Sequence, residues 1–261
     1  MYKWFIIIVA GFITTQAYGQ TAHEIISKVR DREIGNATKT RMTMVLIEKD
    51  KTQRVRELIS FSKSDESQSK DLLYFESPPD MKGTGFLNIR VREKNGEKDQ
   101  WLYLPALKKV KRIASSESGG DFLGSDFSYS DMGGTDIDNY NYALKGEETV
   151  NGYETYQIIS QPKTDAIAKQ FGYRKSILWV AKDIWLVVKA INYTTKPGEI
   201  KLMEASDIKE VNGIWTAYKI QMSRLQEKAF QHATIMVLNE VEYNADIDDG
   251  IFTERQLMKG F

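Results

Sequence analysis

Apolar and polar residues alternate with a period of two along most of the chain, which is typical of β-strands. In the run MTMVLI at 42–47, the two methionines and the leucine share one face, and the threonine, valine and isoleucine share the other. Asn-Gly pairs at 95–96, 151–152 and 212–213 supply the positive φ of tight hairpins. We therefore predict eleven or twelve strands in one large antiparallel sheet. Besides that first run, the strands are expected near 54–62, 71–77, 85–93, 98–104, 140–148, 153–161, 173–181, 185–194, 200–210, 214–225 and 232–243.

Helical patterns are few and short. Residues 22–34 place Ile25, Ile26 and Val29 on one helical face, and short segments near 164–171 and 250–258 are the other candidates. Several strands, such as SILWVA and IWLVVKAI, are apolar on both faces, so a second layer has to cover the sheet. With so little covering material, we expect an apolar cavity that admits small apolar ligands. The alternative is a barrel or sandwich that packs solidly.

The first 19 residues have the features of a secretory signal peptide. Lys3 supplies a positive charge, residues 5–13 form a short apolar run, and Ala17 and Gly19 are the small residues of a cleavage site. The apolar run is shorter than the roughly 20 residues that a membrane-spanning helix needs. We expect cleavage after Gly19, which leaves residues 20–261 as one exported β domain. The alternative is an uncleaved membrane anchor.

Composition excludes most chemistry. The chain has no cysteine and two histidines, His23 and His232, both predicted to be solvated surface residues, so disulfides, zinc and a histidine-based triad are not expected. The acidic stretches do not fit a calcium-loop template, and no glycine-rich phosphate loop opens a helix. Basic and acidic residues balance at 36 each, and losing Lys3 gives a net charge near −1, which does not favour nucleic acid. We expect a non-enzyme without metal or cofactor.

The stretch QWLYLPALKKVKRI at 100–113 joins an apolar strand to a basic segment. Trp101 and Tyr103 share one strand face, Leu102 and Leu104 share the other, and Pro105 ends the ladder at a strand end or bulge. Basic side chains at a cavity mouth would meet phosphate headgroups or an acidic partner. The alternative is an edge strand whose lysines prevent pairing with other chains. The residues of this predicted headgroup or partner site are Lys108, Lys109, Lys111 and Arg112.

The long loop 114–138 combines five glycines with large apolar side chains. Glycines make the loop mobile, whereas apolar side chains are costly to leave in water, and a movable lid over the cavity explains both features. An ordinary loop that anchors its aromatic residues in the core explains only the second. The residues predicted to form the lid are Phe122, Leu123, Phe127 and Tyr129.

The chain resembles the periplasmic proteins grouped as outer-membrane lipoprotein-sorting protein-like, relatives of the carrier LolA. The segments that carry the resemblance are YFESPPDMKGTGFL, QWLYLPALKKVKRIASSESGGDFLGSDFSYSDM and WVAKDIWLVVKAINY, and the similarity extends from about Arg41 to the end of the chain. It implies a mainly β fold, an unclosed half-barrel of about eleven antiparallel strands, with short helices and a loop covering the concave face. No arginine here can be matched to the cavity arginine of LolA, so its gating mechanism is not carried over.

The resemblance also implies a function. We expect a periplasmic monomer that binds an acyl-chain lipid or lipoprotein and transfers it between an inner-membrane exporter of the resistance-nodulation-division type and the outer membrane, with transient membrane contact. The alternatives are a periplasmic sensor domain for lipid or lipoprotein and an integral outer-membrane β-barrel. The residues expected to line the lipid cavity are Met42, Met44, Leu46, Phe86, Trp101, Tyr103, Trp179 and Trp185.

Overall fold

The computed structural model describes residues 20–91, 98–134 and 136–260. The predicted signal peptide and the Asn-Gly pair at 95–96 lie outside these ranges. The helices are α1 (Ala22–Asp31), α2 (Tyr129–Met132), α3 (Asp165–Phe171) and α4 (Glu254–Lys259). The strands are β1 (Ala37–Ile47), β2 (Gln53–Ser64), β3 (Gln68–Ser77), β4 (Gly85–Val91), β5 (Lys98–Leu104), β6 (Lys109–Ile113), β7 (Tyr140–Val150), β8 (Tyr153–Pro162), β9 (Tyr173–Ala181), β10 (Leu186–Thr194), β11 (Glu199–Val211), β12 (Ile214–Gln226) and β13 (Ala229–Tyr243).

All 13 of these strands form one antiparallel sheet that does not close into a barrel. The order across the sheet is β6-β5-β4-β3-β2-β1-β13-β12-β11-β10-β9-β8-β7, so β6 and β7 are the two edges. The chain runs outward from β1 to β6, crosses to β7 through residues 114–139, and returns to pair β13 with β1. The predicted mainly β, unclosed antiparallel fold is confirmed. The additional strand is β6, which the sequence pattern did not predict.

The sheet is apolar on both faces, and each face has its own cover. On what we call the outer face, Leu72, Tyr74 and Leu87 pack against the C-terminal segment, whose Phe252 and Leu257 are buried. Gly85 permits this contact, since a Cβ at that position would lie 2.7 Å from Leu257 Cδ1. The outer cover therefore includes the predicted C-terminal helix, α4.

The opposite, inner face is covered by residues 114–139 and by α1. Helix α1 begins at a capping box, in which Glu24 N–H donates to Thr21 Oγ1 and Thr21 N–H donates to the Glu24 carboxylate. Its buried Ile25 and Ile26 pack on a cluster that includes Ile158 of β8. The predicted helical face is thus the one that contacts the sheet. Among the described residues, no helix is both long and apolar enough to cross a bilayer.

Candidate functional site

The inner face of β1 to β5 is divided between polar and apolar side chains. The strand register places one residue from each strand side by side, in rows that cross the sheet. One row is entirely polar, another is entirely apolar, and a mixed row lies between them. The polar half consists of Thr38, Thr40, Ser60, Ser62, Ser64, Ser69, Asp71, Asn88, Arg90, Lys98 and Gln100. The apolar half consists of Met42, Met44, Leu46, Leu58, Leu73, Phe75, Phe86, Leu102 and Leu104. One surface thus offers contacts for both ends of an amphiphile.

The apolar half is covered by the described residues of the segment 114–139, namely 114–134 and 136–139, which we call the inner loop. The Phe122 side chain is fully buried there, with its ring centroid 5.2 Å from that of Phe86 and 6.3 Å from that of Phe75. Tyr129 packs edge-on to Phe122 at 5.4 Å. Phe122 therefore occupies the position at which a hydrocarbon chain would contact this surface.

An ionic cluster, which we call the latch, holds the inner loop to the far half of the sheet. Asp126 is fully buried, and its carboxylate accepts hydrogen bonds from Arg224 Nε at 3.1 Å, His232 Nδ1 at 2.5 Å and Thr234 Oγ1 at 2.8 Å. The buried Lys201 ammonium donates to the Asp126 carbonyl at 2.7 Å. The loop is thus attached to β11, β12 and β13 by charged groups, which are costly to bury unless they are paired.

Asp121 supplies the second carboxylate of the latch. Both of its oxygens accept from the Arg224 guanidinium, at 2.7 and 2.9 Å, and Lys201 Nζ lies 3.3 Å away. Burial pushes the pKa of Asp121 up, but the Arg224 hydrogen bonds and the Lys201 charge outweigh burial and leave that pKa below its ordinary value. The pair is bidentate, which gives it a defined geometry.

Arg56 makes a further contact with the loop from the apolar half. This arginine is 8% exposed, its guanidinium carbon lies 5.8 Å from the centroid of the Phe75 ring, and Nη1 donates to the Leu123 carbonyl at 2.8 Å. Leu123 itself has a φ of 50°, in the left-handed region. A residue other than glycine pays about 1–2 kcal/mol for that conformation. The loop is therefore held closed over the sheet in a strained conformation.

Part of the polar half is open to a pocket, although Asn88 and Gln100 are buried. A pocket of about 760 Å³, which we call the polar pocket, lies between the polar half, the end of α1 and residues 132–134 and 136–139. Its lining combines polar and apolar surface in similar amounts and includes Ser62, Arg90 and Asp138. None of the residues predicted for the cavity, the lid or the headgroup site lines it. In the part of the chain that the structure describes, no group of three metal-ligating side chains occurs.

The structure brings four of the eight predicted cavity residues together and separates the others. Met42, Met44, Leu46 and Phe86 lie in the apolar half beneath the inner loop. They line a covered surface rather than an open cavity, because Phe122 fills the space above them.

Trp101 and Tyr103 lie on the outer face, because alternation along β5 gives the inner face to Leu102 and Leu104. Trp179 alternates with Leu178 and Val180, which pack under α1, and so lies on the side away from α1; its indole nitrogen donates to Glu148. Trp185 stacks on Tyr156 beneath α1, with ring centroids 6.3 Å apart. These four tryptophan and tyrosine residues are therefore separated from the apolar half.

The four predicted lid residues lie in the inner loop and face the sheet. Phe122 and Phe127 are buried, and Leu123 and Tyr129 are partly buried. The four basic residues lie on β6 and the turn before it. The Lys108 backbone lies in the left-handed region, with a φ of 48°. Lys111 Nζ lies 2.9 Å from Glu117 Oε1, and Arg112 forms an ion pair with Asp99. Because β6 is an edge strand, this placement matches the edge-protection alternative, and a headgroup role for these residues stays a prediction.

Sequence reasoning missed the residues that attach the loop. His232 was expected to be a solvated surface residue, but its side chain is 15% exposed and bound to Asp126, which corrects that prediction. Arg224, Lys201 and Arg56 were not singled out either. The available signal was their position in strands: each is a charged side chain in a run of apolar and small residues, where a partner is required.

Comparisons with known proteins place the chain in a family. A family model described as that of an uncharacterized protein matches residues 67–259, more than half of the chain. No curated protein matches the chain in sequence. A domain described as an outer-membrane lipoprotein-sorting protein, from Vibrio parahaemolyticus, is 28% identical, with a TM-score of 0.81 over 91% of this chain and 98% of that one.

Two further solved structures have the same fold. A DUF1329 family protein from Desulfovibrio piger is 25% identical, with a TM-score of 0.81 over 90% of this chain and 97% of that one. A LolA superfamily protein from Nitrosomonas europaea is 17% identical, with a TM-score of 0.68 over 91% of this chain and all of that one, and shows likeness of fold alone. The chain therefore belongs to the outer-membrane lipoprotein-sorting protein-like family and has a LolA-like fold.

Proposed function

We propose that this protein is a periplasmic carrier of an acyl-chain lipid or lipidated cargo, and not an enzyme. The cargo's hydrocarbon would lie on the apolar half of the inner face after the inner loop moves away. The donor would be an inner-membrane exporter of the resistance-nodulation-division type, and the acceptor would be the outer membrane. The relative from Vibrio parahaemolyticus described as a lipoprotein-sorting domain supports this role.

The observation that carries the proposal is how the apolar half is covered. Nine apolar side chains line it, yet its cover is a loop attached by the latch, by the Arg56 hydrogen bond and by Phe122. Polar contacts to a loop can be exchanged for contacts with water when the loop lifts, because each is worth only about 1–3 kcal/mol net. An acyl chain would then replace Phe122 on Phe75 and Phe86.

The energies allow binding that is reversible. At about 0.8 kcal/mol per buried CH₂, a chain of about 14 methylenes gains roughly 11 kcal/mol. Association costs about 4–15 kcal/mol, and opening the loop adds to that cost. The net affinity is then moderate, which a carrier requires because it has to release its cargo.

A reversible crosslink tests the proposal. The chain has no cysteine, and Asp126 and Thr234 are in direct contact, with Asp126 N–H donating to Thr234 Oγ1 at 2.9 Å. Replacing both by cysteine (Asp126→Cys with Thr234→Cys) would join the inner loop to β13. We expect the oxidised double variant to exclude a fluorescent fatty acid and the reduced one to bind it more tightly than the wild type. Mass spectrometry confirms the crosslink.

The single variant Asp126→Cys, treated with the same oxidant, is the matched control and should bind the fatty acid whether or not it is oxidised. Equal binding by the oxidised and reduced double variant would contradict the proposal, because the acyl chain would then be bound without movement of the loop.

A further inference from the structure

The polar pocket adjoins the proposed acyl-binding surface. Met132 and Ile137 line the pocket on its apolar side. Met132 packs against the apolar half, and Ile137 packs against the cluster beneath α1. A molecule that occupies the pocket could therefore extend a chain onto the apolar half. The pocket volume of about 760 Å³ lies within the range of about 300–1,000 Å³ that is typical of ligand sites.

The wall formed by the sheet is suited to a phosphate. Arg90 lies among the hydroxyl groups of Ser62, Ser64 and Ser69, and its Nε donates to Ser69 Oγ at 3.3 Å. Guanidinium and hydroxyl groups are common ligands of phosphate oxygens. The one carboxyl on this wall is Asp71. Burial raises its pKa, and Asn88 donates to its Oδ2 at 2.9 Å, so this carboxyl group already has a hydrogen-bond partner within the sheet.

The opposite wall is suited to an ammonium group. Asp136 and Asp138 lie there at the turn 137–139, and both residues line the pocket. The other charged residues on this wall neutralise each other, since the Arg30 guanidinium donates to both oxygens of Asp31 at 2.7 and 2.8 Å. His23 Nε2 lies 3.5 Å from the Asp138 carboxylate, and Arg30 interacts electrostatically with Asp136 and Asp138. Carboxylates nevertheless outnumber the one arginine on this wall, whereas Arg90 and Lys63 outnumber Asp71 on the wall formed by the sheet.

We infer that the polar pocket binds the headgroup of a zwitterionic phospholipid, with the phosphate at Arg90 and the ammonium at Asp136 and Asp138. This inference rests on the proposed function, because the acyl chains of the same lipid would lie on the apolar half. An anionic headgroup without an amine would place its negative charge near the two aspartates without forming an ion pair with them. The pocket thus selects among lipids, whereas the apolar half accepts any hydrocarbon chain.

Three ligands with the same chain length test the inference: a 12-carbon lysophosphatidylethanolamine, the matching lysophosphatidylglycerol, and 1-dodecanol. We expect the wild type to bind the zwitterionic lipid about fivefold more tightly than the anionic one, the size of effect that one partly exposed ion pair produces. Arg90→Gln should weaken binding of both phospholipids and leave dodecanol unchanged. Its matched control is Arg41→Gln, on the outer face of β1.

The double variant Asp136→Asn with Asp138→Asn should abolish the preference for the zwitterionic lipid. Asparagine keeps the cap at this turn, in which Asp138 N–H donates to the residue 136 side chain at 3.0 Å, so the fold is retained. Asp183→Asn with Asp207→Asn, at an exposed turn and at an exposed position of β11, is the control and should keep the preference.

Two results would overturn the inference while leaving the carrier proposal intact. One is equal affinity of the wild type for the two phospholipids while dodecanol binds. The other is binding of free phosphoethanolamine as tight as that of the lysolipid, which would assign the pocket to a soluble molecule. Failure of all three chain-bearing ligands would contradict the proposed function itself.

Discussion

The two covers of the sheet use different interactions, although both hide apolar surface. The outer cover is attached by buried side chains, with Leu257 fully buried and Phe252 4% exposed, and by a hydrogen bond from Tyr74 Oη to the Gln256 carbonyl at 2.7 Å. The inner loop also buries Phe122 and Phe127, but its attachment includes a buried ionic cluster, the latch, together with hydrogen bonds from Arg56 and Lys98. Its Leu123 is strained, whereas the C-terminal segment has a positive φ only at Gly260 among its described residues beyond Asn244.

The difference indicates which cover moves. Buried apolar contacts lose their full transfer free energy when a cover lifts. Charged groups are rehydrated, so a charged attachment costs less to open than its number of contacts implies. We therefore assign ligand entry to the inner loop and a permanent structural role to the outer cover.

The largest effects should come from truncating the apolar anchor of each cover. Phe122→Ala and Leu257→Ala should each lower the free energy of unfolding by about 3–5 kcal/mol. Dodecanoic acid should restore up to about 2.7 kcal/mol to Phe122→Ala at 100 times its dissociation constant, because it fills the vacated space. At the same concentration it should stabilise Leu257→Ala only as much as it stabilises the wild type, because that cavity lies beneath the outer cover. Urea unfolding with and without the acid measures both values, and equal rescue of the two variants would contradict the assignment.

The next largest effect concerns the charged contacts of the two covers. Asp126→Asn should cost about 3 kcal/mol, since it removes the buried negative charge to which Arg224 and His232 are bound. Asp249→Asn is the matched control at the outer cover. Asp249 accepts from Lys63 and Lys70 at 3.2 and 3.1 Å but is 60% exposed, so its loss should cost less than about 1 kcal/mol. Chemical denaturation measures both; similar costs would show that the latch is not a buried network.

A smaller effect on ligand affinity should distinguish the inner face of β5 from its outer face. Leu102→Ala removes an inner-face side chain and should weaken binding of a fluorescent fatty acid about tenfold, the loss of roughly 1.5 kcal/mol of apolar contact. Trp101→Ala, one residue away on the outer face, should leave that binding unchanged. Fluorescence titration measures the two dissociation constants. A weaker affinity for the Trp101 variant alone would place the ligand beneath the outer cover.

The smallest effect is a pH dependence at the inner loop. Lys98 donates to the carbonyls of Ser130 and Gly134, and burial, together with the nearby Arg90, lowers the pKa of Lys98 from 10.5 to about 8. The folded state therefore carries the penalty of a buried charge in full below pH 8. Stability should rise between pH 8 and 10.5, where the unfolded lysine keeps a proton that the folded one has lost.

Comparing the wild type with Lys98→Met isolates the contribution of Lys98 to stability. The difference between their free energies of unfolding should change between pH 8 and 10.5. The exposed Lys109→Met is the control and should follow the wild type at every pH. A parallel pH profile for wild type and Lys98→Met would remove Lys98 from the attachment of the loop.

The strands were predictable from sequence because the alternation of apolar and polar residues is a local pattern. In the sheet, the alternate residues of each strand face opposite sides, as that pattern requires. Twelve strand-like patterns correspond to 12 of the 13 strands in the described ranges. The exception, β6, has the sequence KVKRI, which is too polar and short to distinguish from a basic loop. Its position at the edge explains that composition, since one side has no partner strand.

The site was less predictable, for two physical reasons. Strand β5 is apolar on both faces, so its alternation does not tell which face the inner loop covers and which the C-terminal segment covers. The latch joins Asp126 to residues about 100 positions away, Arg224 and His232, and no local pattern records such a pairing. The division of the inner face into polar and apolar halves required the register of five strands, which also comes only from the structure.

Hydrogen exchange with and without dodecanoic acid measures whether the inner loop, rather than the C-terminal segment, opens when a ligand binds. The Phe122 and Tyr129 amides, which donate to the Phe127 and Gly120 carbonyls, report on the inner loop. The Leu257 amide, which donates to the Thr253 carbonyl, reports on the outer cover. We predict that the bound acid speeds exchange in the inner loop and leaves exchange in the C-terminal helix unchanged. Bound acid with an unchanged inner loop, or with faster exchange only in the C-terminal helix, would contradict the account.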